Sequence, residues 1–208
     1  MYTGITRGLF PVVALEPQPG ATRLTVELSE ALAAGIELGA SISVDGVCLT
    51  AAALSGRRVS FDAIDETRRL TTLGELAVGR KVSVERSAKL GDELGGHDVF
   101  GHVIGTAAVL ARDEIGAQLD LTLGVPAAWL KYILHKGFIA LDGSSLTVDR
   151  DAVPENAFKV HLIPETLRLT NFASKRVGDR INVELDPRTV AIVDTVERVL
   201  AERYTQKT

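Results

Sequence analysis

Short runs rich in Val, Ile, Leu and Thr recur along the chain at intervals of about 8–12 residues, punctuated by Gly and Pro, the spacing of a sandwich or barrel of short strands. Candidate strands fall at 23–28, 41–44, 48–53, 58–62 and 81–86. In Lys81-Val82-Ser83-Val84-Glu85-Arg86 apolar and polar residues alternate with period two, which predicts a strand buried on one face only. Two short segments read as helices. Residues 29–34 follow Ser29, whose hydroxyl is suited to accept from a first-turn N–H, and 126–134 are similar. The C-terminal end has a different pattern. From 187 to 204 there is no glycine, Asp186 is placed as an N-cap with Pro187 at the first helical position, and Val193, Val196, Leu200 and Tyr204 share one face. That stripe has two possible destinations, its own subunit or a neighbouring one.

An internal repeat fixes the organisation. Asp45-Gly46-Val47-Cys48-Leu49-Thr50 returns 97 residues later as Asp142-Gly143-Ser144-Ser145-Leu146-Thr147, with four of six positions identical. Glu66-Thr67-Arg68-Arg69-Leu70-Thr71 returns after 99 residues as Glu165-Thr166-Leu167-Arg168-Leu169-Thr170, with five of six identical. Val78-Gly79 and Val84-Glu85 answer Val177-Gly178 and Val183-Glu184, and Gly4 and Gly8 answer Gly101 and Gly105. The two-residue change of offset fits a longer turn around 153–156. The expected fold is all-β: two tandem six-stranded antiparallel barrels, residues 1–96 and 97–186, closed so that no strand edge is left exposed, followed by a helix and tail at 187–208.

Composition narrows the function. The 208 residues carry 23 Lys+Arg against 27 Asp+Glu, a formal net charge of −4, and aromatic residues make up 5%, a poor match to a nucleic-acid binder that must neutralise phosphates and stack on bases. The single cysteine, Cys48, excludes a disulfide framework and a cysteine-rich zinc site. Neither a charged leader followed by an apolar stretch nor an 18-residue apolar run is present, so a cytoplasmic protein without a membrane partner is expected.

Differences between the repeats mark candidate chemistry. Cys48 stands against Ser145, His102 against Ile5, Lys136 against Gly39, Asp62 against His161 and Asp186 against Ser87. His97 and His102 are both possible metal ligands, but a five-residue spacing on a glycine-rich segment suits neither a strand face nor a helix face, and no metal is expected. There is no phosphate-binding glycine loop and no Gly-x-Ser-x-Gly elbow.

These segments resemble the riboflavin synthase family. The similarity rests on Met1-Tyr2-Thr3-Gly4-Ile5, Asp45-Gly46-Val47-Cys48-Leu49-Thr50, Leu94-Gly95-Gly96-His97, Gly101-His102-Val103, Lys136-Gly137-Phe138-Ile139, Asp142-Gly143-Ser144-Ser145-Leu146-Thr147, Ile163-Pro164-Glu165-Thr166 and the helix from Asp194 to Leu200, in that order. Tyr2 stands where Phe is usual, Asp45 where Asn is common, and Ile104 where many members carry Asp. The resemblance implies a homotrimer without cofactor that takes two molecules of 6,7-dimethyl-8-ribityllumazine, moves a four-carbon unit between them, and releases riboflavin and 5-amino-6-ribitylaminouracil. It implies a site between the first barrel of one subunit and the second barrel of a neighbour, with the terminal helices gathering the trimer. Carried over residue by residue, it assigns one pocket to Gly4, Ile5, Thr6, Cys48, Leu49, Thr50, Asp62, Ala63, Ile64, Asp65, Glu66 and Thr67. The other pocket receives Gly101, His102, Val103, Lys136, Ser145, Leu146, Thr147, Ile163, Pro164, Glu165 and Thr166. In that scheme His102 and Ser145, assisted by Thr147 and Asp186, manage protons at one lumazine, Cys48 and Thr50 contact the other, and Lys136 places a positive charge near the heterocycle. A non-catalytic lumazine- or flavin-binding antenna protein is the alternative sharing the same duplicated barrels.

Overall fold

The computed structural model describes the backbone of residues 1–205 and the side chains of residues 1–203, so the side chain of Tyr204 and residues 206–208 lie outside the described residues. Strands β1 (Leu9–Gln18), β2 (Ala21–Glu27), β3 (Ser41–Val44), β4 (Val47–Ser55), β5 (Arg58–Ile64) and β6 (Lys81–Arg86) close into an antiparallel barrel in the order β1-β2-β5-β4-β3-β6. The second half repeats the plan with β7 (Gly105–Ile115), β8 (Gln118–Gly124), β9 (Phe138–Leu141), β10 (Ser144–Thr147), β11 (Ala157–Leu162) and β12 (Arg180–Leu185). Short helices α1 (Glu30–Ala33), α2 (Asp65–Leu70) and α3 (Pro164–Leu169) decorate the barrels, and α4 (Pro187–Thr205) ends the described chain. Ser29 accepts from Leu32 N, and Asp186 accepts from the N–H and hydroxyl of Thr189, so both expected caps are in place. The segment 126–134 forms a 3-10 helix, Ala127–Tyr132, rather than an α-helix.

Each barrel is filled by the inward residues of its own strands, with Val12, Leu24, Ile42, Phe61, Val82 and Val84 in the first and Val109, Leu121, Ile139, Phe158, Ile181 and Val183 in the second. Closure is where the halves part. In the first, the nine-residue β4 bends at a bulge between Ala51 and Ala53 and runs on to pair with β5 as far as Ser55. In the second, β10 stops after four residues, and the chain turns away through Ala152 and Asn156, both at positive φ. Among the described residues the only backbone pairing that joins that side to β11 is the bridge between Asp149 and Lys159, with N–H···O distances of 2.8 and 2.7 Å. The second barrel therefore departs from the closed form expected from the repeat.

The polar face of β6 is also buried. Ser83 donates its N–H to Asp45 Oδ1 and Glu85 receives Thr3 and Gly4, so the alternation that predicts a half-buried strand here marks one packed on both faces. β12 does the same with Asn182 and Glu184. The halves meet along these faces. Asn182 Nδ2 donates to the carbonyl of Asp45, Thr72 N donates to Asn182 Oδ1, and Asn171 Nδ2 donates to the Asp45 carboxylate. Lys175, buried, pairs with Asp142 at 3.0 Å. Burial and the neighbouring Asp142 push the Asp45 carboxyl up to about 7.

Candidate functional site

The two segments that lead into the barrels cross over. Tyr2 and Val99 bridge in antiparallel fashion, with N–H···O distances of 2.6 and 3.1 Å, and this places each segment against the other half. Gly4 O accepts from Ser145 N at 2.9 Å, and Gly101 O accepts from Cys48 N at 3.0 Å. The approach requires glycine twice over. Both glycines lie at positive φ, and a Cβ on Gly4 would sit 2.6 Å from that of Ser145, one on Gly101 2.5 Å from that of Cys48. Two buried carboxylates hold the crossing. Glu85 accepts from Thr3 N, Thr3 Oγ1 and Gly4 N, and Glu184 accepts from the N–H groups of Phe100, Gly101 and His102. Burial raises both carboxyls above their ordinary range, opposed by these bonds. Neither glutamate stood out in the sequence beyond its place in the repeat.

The crossing corrects the grouping carried over from the resemblance. Gly101, His102 and Val103 line a pocket of about 180 Å³ with Val47, Cys48, Glu66 and Thr67, in the first half. Gly4 and Thr6 belong to the second half, where Thr6 Oγ1 also lies 3.0 Å from Ser144 Oγ. The second pocket, about 220 Å³, is lined by Lys136, Ser145, Leu146, Thr147, Asp149, His161, Ile163 and Thr166. The remaining assignments scatter. Leu49 and Ala63 point into the first core, Asp62 is paired with Arg23 on the barrel wall, Ile64 and Asp65 are exposed at the start of α2, and Thr50 is exposed on β4. Pro164 and Glu165 open α3, with Glu165 held by Arg168 at 2.7 Å. Ile5 lies on the crossing segment beside the open face of Gly95.

The hydrogen-bonded partner of Ser145 is also a different histidine from the one the resemblance names. His102 stands at the first pocket near the ring of Phe100, whereas Nδ1 of His97 lies 2.6 Å from Ser145 Oγ. His97 stacks on Phe138, with ring centroids 5.2 Å apart. Burial lowers its pKa, opposed by the nearby Asp186 and Asp98, so a neutral ring is available to accept the serine proton. Asp186, pushed up by burial but pulled further down by bonds from Thr189 and Arg188, stays a carboxylate beside it. Asp186 thus caps α4 and faces His97 at once. The signal for His97 was present in Gly-Gly-His-Asp, but a ligand-spacing test has no means of detecting a serine partner 48 residues away. In the first half Cys48 Sγ instead accepts from Tyr2 Oη at 3.1 Å. Each pocket therefore has a small Sγ or Oγ group at the root of its crossing strand, a Thr on the following short helix, and a different partner for that group.

Comparison with known proteins places this architecture in a class first. The Lumazine binding domain matches residues 3–87 and again 100–186, one copy per half. Riboflavin synthase of Escherichia coli (strain K12) is 46% identical over 205 residues, which cover 98% of this chain and 95% of that protein, and riboflavin synthase of Chlamydia pneumoniae is 38% identical over 97% of this chain and 98% of its own. The chain belongs to the riboflavin synthase family, built from tandem lumazine-binding domains. Among solved structures, LumP complexed with riboflavin matches with a TM-score of 0.82 at 26% identity, covering 89% of this chain and all of that one.

Proposed function

We propose that this chain is a riboflavin synthase: it binds two molecules of 6,7-dimethyl-8-ribityllumazine and transfers a four-carbon unit from one to the other, giving riboflavin and 5-amino-6-(D-ribitylamino)uracil. One observation carries the reading. A Cys-Leu-Thr and a Ser-Leu-Thr strand each receive a crossing glycine segment, and Cys48 with Thr67 and Ser145 with Thr166, at matching repeat positions, each line a pocket, which suits a reaction whose two substrates are the same molecule. Holding the two rings face to face supplies much of the acceleration, of order 7–11 kcal/mol at best. Proton handling supplies the rest. Ser145 with His97 takes and returns protons at the lumazine in the second pocket, Lys136 stabilises the anion formed when the 7-methyl group is deprotonated, and Cys48 with His102 contacts the lumazine in the first. Thr67 and Thr166 serve the ribityl chains.

The two pockets, whose linings share no residue within one chain, are in this reading half-sites that meet across a subunit boundary. In this reading residues 1–96 and 97–186 are the two lumazine-binding barrels and 187–208 the trimerisation helix and tail. Exposed Ile192, Val196, Val199 and Leu200 on α4, the first 65% and the last 47% accessible in the single chain, support a helix that meets its copies in a homotrimer. Of the expected stripe, Val196 and Leu200 lie on this surface, whereas Val193 is half-buried. Among the described residues no helix is long and apolar enough to cross a membrane. The likeness to LumP favours a second reading, a binder without turnover, which the test separates. Purified protein given the lumazine alone is expected to form one riboflavin for every two lumazines consumed. Tight binding with no product supports the antenna reading instead.

A further inference from the structure

On the side of the second barrel where no ladder joins β10 to β11, side chains span the gap. His161 on β11 places Nδ1 2.7 Å from Asp120 Oδ1 on β8, and Nε2 2.9 Å from Asp149 Oδ2 on the segment that follows β10. A carboxylate on each ring nitrogen suits one protonation state, the imidazolium, which donates from both. Asp149, and then Asp120, hold His161 above the ordinary histidine range, while the N–H of Asp151 and His161 bring Asp149 down to about 2. His161 and Asp120 face each other across the β8–β11 ladder as Asp62 and Arg23 do, by two 2.8 Å bonds, across β2–β5, so it is the bond from His161 to Asp149 that spans the gap, and among the described residues Asp62 has no such second carboxylate bond.

Asp149 reaches the second pocket through its neighbour. Val148 donates to Gly137 O at 3.0 Å and accepts from Lys136 N at 2.8 Å, so the placement of Asp149 fixes the turn that presents Lys136, itself held at a φ of 59°. His161, Asp149, Lys136 and Thr147 all line that pocket. We propose that Asp120, His161 and Asp149 form a clasp across the unladdered side of the second barrel, and that His161 is a positioning residue which sets Lys136 and Thr147 against the ligand there. The proposal rests on the two-pocket reading of the function. Besides the two aspartates, the ionisable groups facing the clasp are Lys136 and His135, whose Nδ1 lies 3.5 Å from Asp149 Oδ1, with Asp151 beyond. Because the native pKa of His161 is raised, the clasp is complete at acid pH and is lost as pH rises through that value.

The test uses the full-length protein, His161→Gln and Asp120→Asn, each titrated with riboflavin by flavin fluorescence and assayed with the lumazine from mildly acid to mildly alkaline pH. His161→Gln is expected to raise KM about tenfold while kcat changes less than about threefold, the signature of lost binding rather than lost chemistry. Riboflavin affinity of the wild type should fall with rising pH, and that of His161→Gln should stay level. Asp120→Asn keeps an acceptor for the ring but removes one charge, so its pH transition should move to lower pH even if the glutamine variant folds poorly. A wild-type KM and pH profile in His161→Gln, or an unmoved profile in Asp120→Asn, overturns the clasp. Wild-type protein that binds riboflavin but yields none from the lumazine overturns the enzymatic reading alone, and the riboflavin titrations then decide the clasp.

Discussion

The two halves share topology, crossing strands and buried glutamates, yet their pockets differ in what can move a proton. In the first, Cys48 receives a hydrogen bond from a buried tyrosine and Asp62 is neutralised by Arg23 on the barrel wall. In the second, Ser145 is paired with a half-buried histidine whose pKa burial lowers, Lys136 lines the pocket, and His161, its pKa raised by two aspartates, ties the open side of the barrel. Duplication supplied two ways of holding one molecule. In the proposed function, divergence at a handful of positions leaves acid-base groups on one side and mainly a holding surface on the other, an arrangement that fits two identical substrates with unequal fates.

The strongest effect is expected in the second pocket. His97→Gln or Ser145→Ala is expected to lower kcat by about 100-fold or more, the usual worth of a positioned acid-base group, with riboflavin binding little changed. Steady-state kinetics beside riboflavin titration check this, and a turnover number within a few fold of wild type would remove the pair from the chemistry.

The contact between the halves is asymmetric too. Lys175 occupies the position of Leu76 in the first half and neutralises Asp142 in a buried setting. Lys175→Leu should cost about 3–5 kcal/mol, because a buried carboxylate loses its cation, and adding Asp142→Asn should recover much of the loss. Chemical denaturation of both variants measures it.

A smaller effect of opposite sign is expected at Asp45. Its native pKa near 7 lies above that of an unfolded aspartate, so the folded state holds a proton that the unfolded state has released, and the associated stability is lost as pH rises through about 7. Asparagine can accept the same bonds from Ser83 N and Asn171 Nδ2 without ionising. Asp45→Asn should therefore raise Tm by about 2–6 °C at mildly alkaline pH and by much less near pH 5, read by thermal melts across pH. An equal shift at both pH values would contradict the assigned cause.

Much of this was legible in the sequence, and the rest was hidden for identifiable reasons. Strand spacing, the repeat, the Ser29 and Asp186 caps and the terminal helix follow from periodicity and local capping, which are local properties. The crossing of 1–6 and 99–103 depends on one bridge, Tyr2 to Val99, and on two glutamates at strand positions that alternation assigns to solvent. His102 therefore lines the first pocket, and His97 lies against Ser145. The open side of the second barrel came from a four-residue β10, a length that the longer turn around 153–156 only hinted at.

Two half-sites on one chain that must meet across a subunit boundary can be tested by mixing. A first-pocket variant that blocks ligand entry, such as Cys48→Trp, and a second-pocket variant, Ser145→Ala, should each be nearly inactive alone. Co-expressed and purified together, random assortment restores about a quarter of the sites, and riboflavin formation should return to about a quarter of the wild-type rate. A mixture no more active than its parents would contradict a site shared between subunits.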